Sequence, residues 1–304
     1  MTLMPNLTGA IRRNVEAALA EDIGSGDLTA QLIPAAQTAR ASIISREAAV
    51  LCGTAWFEAC FRELDADIEI KWFACDGEAV AAGQTLAEIG GNARALLSAE
   101  RPALNFLQTL SATASAARLY VEAVKGTSAK IMDTRKTLPG LRDAQKYAVQ
   151  CGGGENQRVG LYDGILIKEN HIMAAGGIRE ALAQATKIAA AGVSIQIEVE
   201  NLEELEQALA AGAKLILLDN FDLEALRAAV KLAGAKAELE ASGGISLETV
   251  RAVAETGVQR ISIGSLTKDI KAVDLSMRFE NQIPPTPLFQ RGEQNRKHTL
   301  LPPL

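Results

Sequence analysis

Histidine, paired cysteines and aromatic rings are what this sequence has least of. Only two histidines occur, His171 and His298, and the four cysteines, Cys52, Cys60, Cys75 and Cys151, form no C-x-x-C pair. That argues against a structural zinc site and for free thiols in a reducing cytoplasm. Aromatics make up 4% and the formal net charge is -6, so the basic surface and stacking platforms of a nucleic-acid binder are missing. No run approaches the length of a membrane span, so no membrane partner is expected. Met1 to Ala20 carries charges and no continuous apolar stretch, which does not fit a secretory signal. A cytoplasmic location is the expectation.

What is present is aliphatic. The 304 residues are 48% hydrophobic, mostly Ala, Leu, Ile and Val, as in an α/β protein with aliphatic strands under Ala-rich helices. Residues 1–110 read as a small α/β lobe: a helix over Asn14–Glu21, then strands over Ala39–Ser45, Ile68–Phe73 and Gln84–Ile89. The segment 270–280 is a candidate to complete that lobe. Helical spacing runs from Ser98 to Val124. Residues 111–269 then repeat a βα unit, with six strands at Lys130–Thr134, Gly164–Lys168, Ser194–Glu200, Lys214–Asp219, Ala237–Ser242 and Arg260–Gly264. Helices are expected over Ile178–Ala191, Leu202–Ala211, Leu223–Leu232 and Leu247–Thr256. Right-handed crossovers make the strands a parallel sheet or barrel. Six strands do not close an eight-stranded barrel. Residues 281–304 lack periodicity and read as a flexible tail.

In such folds the chemistry sits at the carboxyl ends of the strands. The residues there are polar: Asp133, Arg135, Lys168, Glu198, Glu200, Asp219 and Ser242. Arg135, Lys136, Arg158 and Lys168 gather around Gly152-Gly153-Gly154, a basic cluster on an acidic chain, which suits a pocket for a small polyanion. Lys168 closes an apolar strand either as an anion ligand or as a Schiff-base nucleophile. The alternation of Ile197-Glu198-Val199-Glu200 puts both glutamates on one face, pointing into the barrel, where a buried carboxylate needs Lys136, Lys168 or a metal beside it. Ser242-Gly243-Gly244 and Ile263-Gly264-Ser265 follow the last two strands, a usual phosphate site of a βα barrel. His171 can serve as a base or simply hydrogen-bond its loop.

Several uncommon strings occur together: Asp133-Thr134-Arg135-Lys136-Thr137-Leu138-Pro139-Gly140, Cys151-Gly152-Gly153-Gly154-Glu155-Asn156-Gln157-Arg158, Leu166-Ile167-Lys168-Glu169-Asn170-His171, Leu217-Leu218-Asp219-Asn220-Phe221 and Ala241-Ser242-Gly243-Gly244. With Glu21-Asp22-Ile23-Gly24-Ser25-Gly26-Asp27-Leu28-Thr29, Glu100-Arg101 and Leu104-Asn105, they resemble the quinolinate phosphoribosyltransferase family over about residues 10–280. The resemblance implies an N-terminal α/β sandwich lobe joined to an incomplete parallel α/β barrel. It implies transfer of phosphoribose from phosphoribosyl pyrophosphate to quinolinate, with release of pyrophosphate and CO₂, for NAD synthesis. It also implies Mg²⁺, bound mainly through phosphoribosyl pyrophosphate rather than by a protein cage, and a homo-oligomer, a homodimer or a hexamer-type assembly.

By the same resemblance Arg135, Arg158 and Lys168, with Lys136, line the pocket for the quinolinate carboxylates, and Thr134 is grouped with the substrate-binding residues. Arg101 matches an arginine inserted from the neighbouring subunit. Glu198 and Asp219 match the carboxylates near the ribose and Mg²⁺, and with Lys136 they form the expected catalytic set. Ser242, Gly243 and Gly264 match 5′-phosphate contacts, with Gly244 and Ser265 grouped beside them as substrate-binding. Many members have His before the arginine matching Arg158, where this chain has Gln157. Glutamine carries no charge, so that position orients substrate, and Gln157→His is expected to be tolerated. The rivals are a sister transferase acting on another acid without decarboxylation, a non-catalytic phosphosugar-binding protein and a Schiff-base aldolase.

Overall fold

The structure is a computed structural model that describes residues 7–280; the tail expected over 281–304 lies outside the described residues. The N-terminal lobe contains α1 (Leu7–Ile23), β1 (Thr38–Ser45), β2 (Ala49–Val50), α2 (Thr54–Leu64), β3 (Glu69–Trp72), β4 (Ala79–Val80) and β5 (Thr85–Asn92). Along β1, Ala41, Ile43 and Ser45 turn inward at every second position, the period of a strand with one buried face. Its partners are antiparallel. Aromatic α2 supplies much of the lobe core: Trp56, Phe57 and Phe61 are fully buried, with the two phenylalanine rings 4.9 Å apart.

The long helix α3 (Ala93–Ala123) starts at Asn92, whose side chain accepts from the backbone amides of Arg94 and Ala95, as an N-cap should. Leu96, Leu104, Leu107 and Leu110 of α3 pack into the lobe core, while Ala117 and Tyr120 pack into the next one. One helix therefore ties both cores together, and the boundary expected at 110/111 falls inside it.

The second part runs β6 (Lys130–Met132), α4 (Arg142–Cys151), β7 (Gly164–Ile167), α5 (Glu169–Ala175), α6 (Ile178–Ile188) and β8 (Ser194–Val199). It continues through α7 (Leu202–Ala210), β9 (Leu215–Asp219), α8 (Leu223–Ala233), β10 (Glu238–Ser242), α9 (Val250–Ala254), β11 (Arg260–Ser262) and α10 (Ser265–Lys268). The sheet order is β6-β11-β10-β9-β8-β7 and every pairing is parallel. The order begins and ends on β6 and β7, so the barrel is open between them. The last strand, β12 (Leu275–Phe279), returns to the lobe and pairs with β1.

Strand alternation sorts the barrel into two faces. Ile197, Val199, Ile216, Leu218, Leu239, Ala241 and Ile261 lie in the core under the helices. Their neighbours Gln196, Glu198, Leu217, Asp219, Glu240, Ser242 and Ser262 take the opposite face. Helices α7 and α8 start on Asn201 and Asp222, whose side chains accept from Glu204 N and Ala225 N. These caps end each βα loop close to the strand, which leaves the strand-end side chains at the mouth.

Candidate active site

Asp133 follows β6, fully buried, and the buried Lys146 ammonium of α4 donates to its Oδ1 at 2.5 Å. The same carboxylate accepts from Gln157 N at 2.8 Å and Asn156 Nδ2 at 2.6 Å, and Lys146 also donates to Gln157 O at 2.9 Å. Burial raises the Asp133 carboxyl above its ordinary value and lowers Lys146, while each partner's charge opposes that shift. The pair's visible work is to hold the chain on both sides of Gln157, and so to aim Arg158. Lys146 was not among the residues expected from the sequence, because a lysine within a helix gives no sign that it is buried.

Arg135 and Lys136 lie on the exposed turn after Asp133. Arg142 donates to the carbonyls of Arg135 and Val159, which fastens this turn to the segment carrying Arg158. Arg158 donates to Gly164 O at 2.9 Å. Burial lowers its pKa most, followed by the positive charge of Arg135, against Asp163. Two guanidiniums near enough for one charge to be felt by the other form a ready site for a dianion. Lys136 runs instead beside Gly264, where a Cβ would stand 3.0 Å from Lys136 Cδ. Thr134 Oγ1 accepts from Lys136 N at 3.0 Å, and Thr267 Oγ1 donates to Lys136 O at 2.7 Å.

Lys168, just past β7, donates to Glu198 Oε2 at 2.5 Å. The inward-facing Glu198 thus has the cation partner its position requires. Glu200 departs from expectation. It lies beyond the end of β8 and is exposed, because the strand stops at Val199. Its pKa is raised, first by Glu169 and also by Glu204, Asp219 and Glu198, the acidic groups near it. His171 accepts from Lys168 N through Nδ1 at 3.0 Å and fastens the start of α5, which is the loop-bonding alternative.

Asp219 ends β9, and in register Ser242 of β10 sits beside it. Asn220 takes a left-handed backbone (φ 57), donates to Asp219 Oδ2 at 2.8 Å and to Ser242 O from its backbone at 2.9 Å. Gly243 has φ +104, and a Cβ on it would stand 2.1 Å from Asn220 Oδ1, so only glycine fits. Gly244 is exposed; Gly264 and Ser265 are half-buried at the start of α10. The structure thus brings Ser242, Gly243 and Asp219 together, Lys136 with Gly264, Arg135 with Arg158, and Lys168 with Glu198. Arg101 is apart: exposed on α3, it makes no hydrogen bond or salt bridge within the chain among the described residues.

A second residue missed from the sequence is the carboxylate Glu240, inside the barrel and 1% exposed. It accepts from Gln157 Nε2, Gln196 Nε2 and Ser262 Oγ, with Arg260 at 3.9 Å. Gln157 therefore turns its amide group inward to Glu240. Strand alternation already placed Glu240 on the face of Glu198, and that was the signal available for it.

Comparison with known proteins gives concordant matches. Residues 113–278 match the model of the quinolinate phosphoribosyl transferase C-terminal domain, and residues 27–111 match that of its N-terminal domain. A Bacillus subtilis (strain 168) protein named as a probable nicotinate-nucleotide pyrophosphorylase (carboxylating) is 45% identical over 257 residues, covering 84% of this chain and 89% of its own. The Mycobacterium leprae (strain TN) protein of that name is 40% identical, over 88% of this chain and 96% of its own. The solved nicotinate-nucleotide pyrophosphorylase of Francisella tularensis superposes with a TM-score of 0.87 at 46% identity, covering 90% of this chain and 96% of that one. Both halves of the chain, in order and over nearly its whole described length, make it a member of the quinolinate phosphoribosyl transferase family.

Proposed function

We propose that this protein transfers phosphoribose from phosphoribosyl pyrophosphate to the ring nitrogen of quinolinate, giving nicotinate mononucleotide, pyrophosphate and CO₂ for NAD synthesis. The observation that carries the reading is Arg158 beside Arg135, whose charge bears on it, at the strand ends of an open parallel barrel. Two cations answer the two carboxylates of one pyridine ring better than they answer one.

Arg135 and Arg158, with Thr134 and Lys168, hold the dicarboxylate so that its nitrogen faces the ribose. Backbone amides at Gly243, Gly244 and Gly264, with Ser242 and Ser265, take the 5′-phosphate at the last two strand ends. Glu198 and Asp219 then lie where positive charge develops at the anomeric carbon, and they stabilise it. Lys136 beside Gly264 neutralises charge on the departing phosphates. Once the nitrogen is alkylated, the pyridinium accepts the electron pair left as the adjacent carboxylate departs as CO₂. No side-chain nucleophile is needed, so Lys168 acts as a ligand. The oxygen donors of Glu198 and Asp219 suit a hard cation, and those residues would hold Mg²⁺ together with the substrate phosphates. Bound Mg²⁺ supplies charge neutralisation for the leaving group.

The protein works in the cytoplasm as a homo-oligomer in which Arg101, without a hydrogen bond or salt bridge among the described residues, reaches a neighbouring site. No described helix is long and apolar enough to cross a membrane. The test is an assay with quinolinate, phosphoribosyl pyrophosphate and Mg²⁺ that follows CO₂ and nicotinate mononucleotide together. Equal amounts of both are expected, with loss in Arg135→Ala. Product without CO₂ would favour the sister transferase, and no turnover from folded protein would refute the reading.

A further inference from the structure

The lobe and the barrel meet at two thiols that the transfer site does not use. Cys52 follows β2 and is fully buried; Cys151 closes α4 and is partly exposed. Their Sγ atoms and a carboxylate oxygen of Asp76 all lie within 4.8 Å of one another. Ninety-eight residues separate them in the chain, so only the tertiary fold makes them neighbours.

The backbone on both sides is held firmly. Ser111 Oγ of α3 accepts from Cys52 N at 2.9 Å and donates to Cys52 O at 3.2 Å. Arg118 of α3 donates to Gly152 O at 2.9 Å and to the carbonyls of Cys151 and Gly77 at 3.2 Å. A Cβ on Gly152 would stand 2.5 Å from Ala114 O, so the end of α4 lies directly on α3. The approach of the two sulfurs is therefore set by the packing of α3, α4 and the strand that precedes α2.

Asp76 could make this a metal site, but both its oxygens are already engaged. Oδ1 accepts from Thr54 N at 3.2 Å at the start of α2, and Oδ2 accepts from the Tyr147 hydroxyl at 2.9 Å. Structural zinc takes four ligands, and three converge here. What the hydrogen bonding leaves unexplained is the thiol pair itself.

We propose that Cys52 and Cys151 form a reversible oxidation site, which a peroxide converts into a disulfide joining the lobe to the barrel. The Cys151 thiolate attacks one peroxide oxygen, the O–O bond breaks, and the departing hydroxide takes up the proton Cys151 gave up and leaves as water. Cys151 is now a sulfenic acid. The Cys52 sulfur attacks it, the S–O bond breaks, and the second oxygen leaves as water with the Cys52 proton. Two thiols and one peroxide give one disulfide and two waters; the thiols are oxidised by two electrons and the peroxide is reduced.

The roles follow from the surroundings. Cys151 is the less buried partner, and the neighbouring Cys52 thiol lowers its pKa most, with help from Tyr147, against burial and Asp76. Burial pushes the Cys52 thiol well up, so it keeps its proton and donates it. Closure brings the sulfurs from within 4.8 Å to about 2.05 Å. A dithiol reverses the bond by exchange.

The experiment treats the whole protein with limiting hydrogen peroxide. The intact mass is expected to fall by two hydrogens, and thiols titrated after denaturation to fall from four to two. A non-reducing digest should link the Cys52 and Cys151 peptides, and dithiothreitol should undo the link. Cys75→Ser should give the same bridge. Cys52→Ser should keep its transferase activity and instead accumulate a dimedone-reactive Cys151. A digest with Cys52 free while Cys151 is over-oxidised or bridged to Cys75 would overturn the proposal. So would stoichiometric zinc in the purified protein that is lost in Cys52→Ser.

Discussion

Replacing Lys146 by methionine removes one charge from a pair that has no access to water. Lys146 and Asp133 have side chains 1% and 0% exposed with 2.5 Å between nitrogen and oxygen. Methionine keeps most of the lysine stem and its packing, so the loss is mainly electrostatic. Asp133 would keep its bonds to Gln157 N and Asn156 Nδ2 but would be a buried anion without a cation. Breaking such a pair from one side costs about 3–5 kcal/mol. At roughly 2–4 °C per kcal/mol for a domain of this size, the melting temperature falls by about 6–20 °C. Calorimetry or circular dichroism reads this directly. Adding Asp133→Asn removes the stranded charge and keeps an acceptor, so the double variant should recover about 1–3 kcal/mol relative to the sum of the single variants. Because Lys146 also holds Gln157 O, KM for quinolinate should rise in the single variant. A Lys146→Met protein melting within about 2 °C of the wild type would refute the account of this pair as a buried, mutually dependent clamp.

Three further outcomes are expected. Gly243→Ala strains a φ of +104 and drives a Cβ onto Asn220; KM for phosphoribosyl pyrophosphate should rise at least about tenfold, equivalent to ~1.4 kcal/mol, in steady-state kinetics. Borohydride in the presence of substrates should leave no adduct on Lys168, whose ammonium is held by Glu198; a trapped lysine by mass spectrometry would establish the aldolase alternative. Asp27 has its pKa lowered, first by the Ala30 amide and then by Ser98. Its contribution to stability is therefore present above the ordinary carboxylate value of 3.8 and is lost as pH falls through the lower folded value. Asp27→Asn should flatten the acid end of the stability–pH curve measured by denaturant unfolding, and an unchanged curve would refute the assignment.

The sequence by itself determined the elements and the faces. The alternation of Ile197-Glu198-Val199-Glu200, and the strands Lys214–Asp219 and Ala237–Ser242 that likewise end in polar residues, marked the elements that are β8, β9 and β10. Aliphatic side chains between them could only face helices, so the strand-end position of Lys168, Glu198, Asp219 and Ser242 followed without coordinates. Helix α4 was missed because its buried face includes Gln145 and Lys146 rather than an apolar stripe; the segment 270–280, read as a candidate to complete the lobe, contains β12, which pairs with β1.

The tertiary structure alone decided which of these residues meet. Strand order put Glu240 of β10 between Ser262 of β11 and, across the open barrel, Gln157 and Gln196. Glu200 shares the parity of Glu198 but falls outside because β8 stops one residue earlier. Lys146 found Asp133, and Cys52 found Cys151, across chain separations that no repeat period encodes. Periodicity reports the direction of a side chain relative to its own backbone. Contact depends on the packing of distant elements against one another, and here α3, shared by both cores, sets that packing.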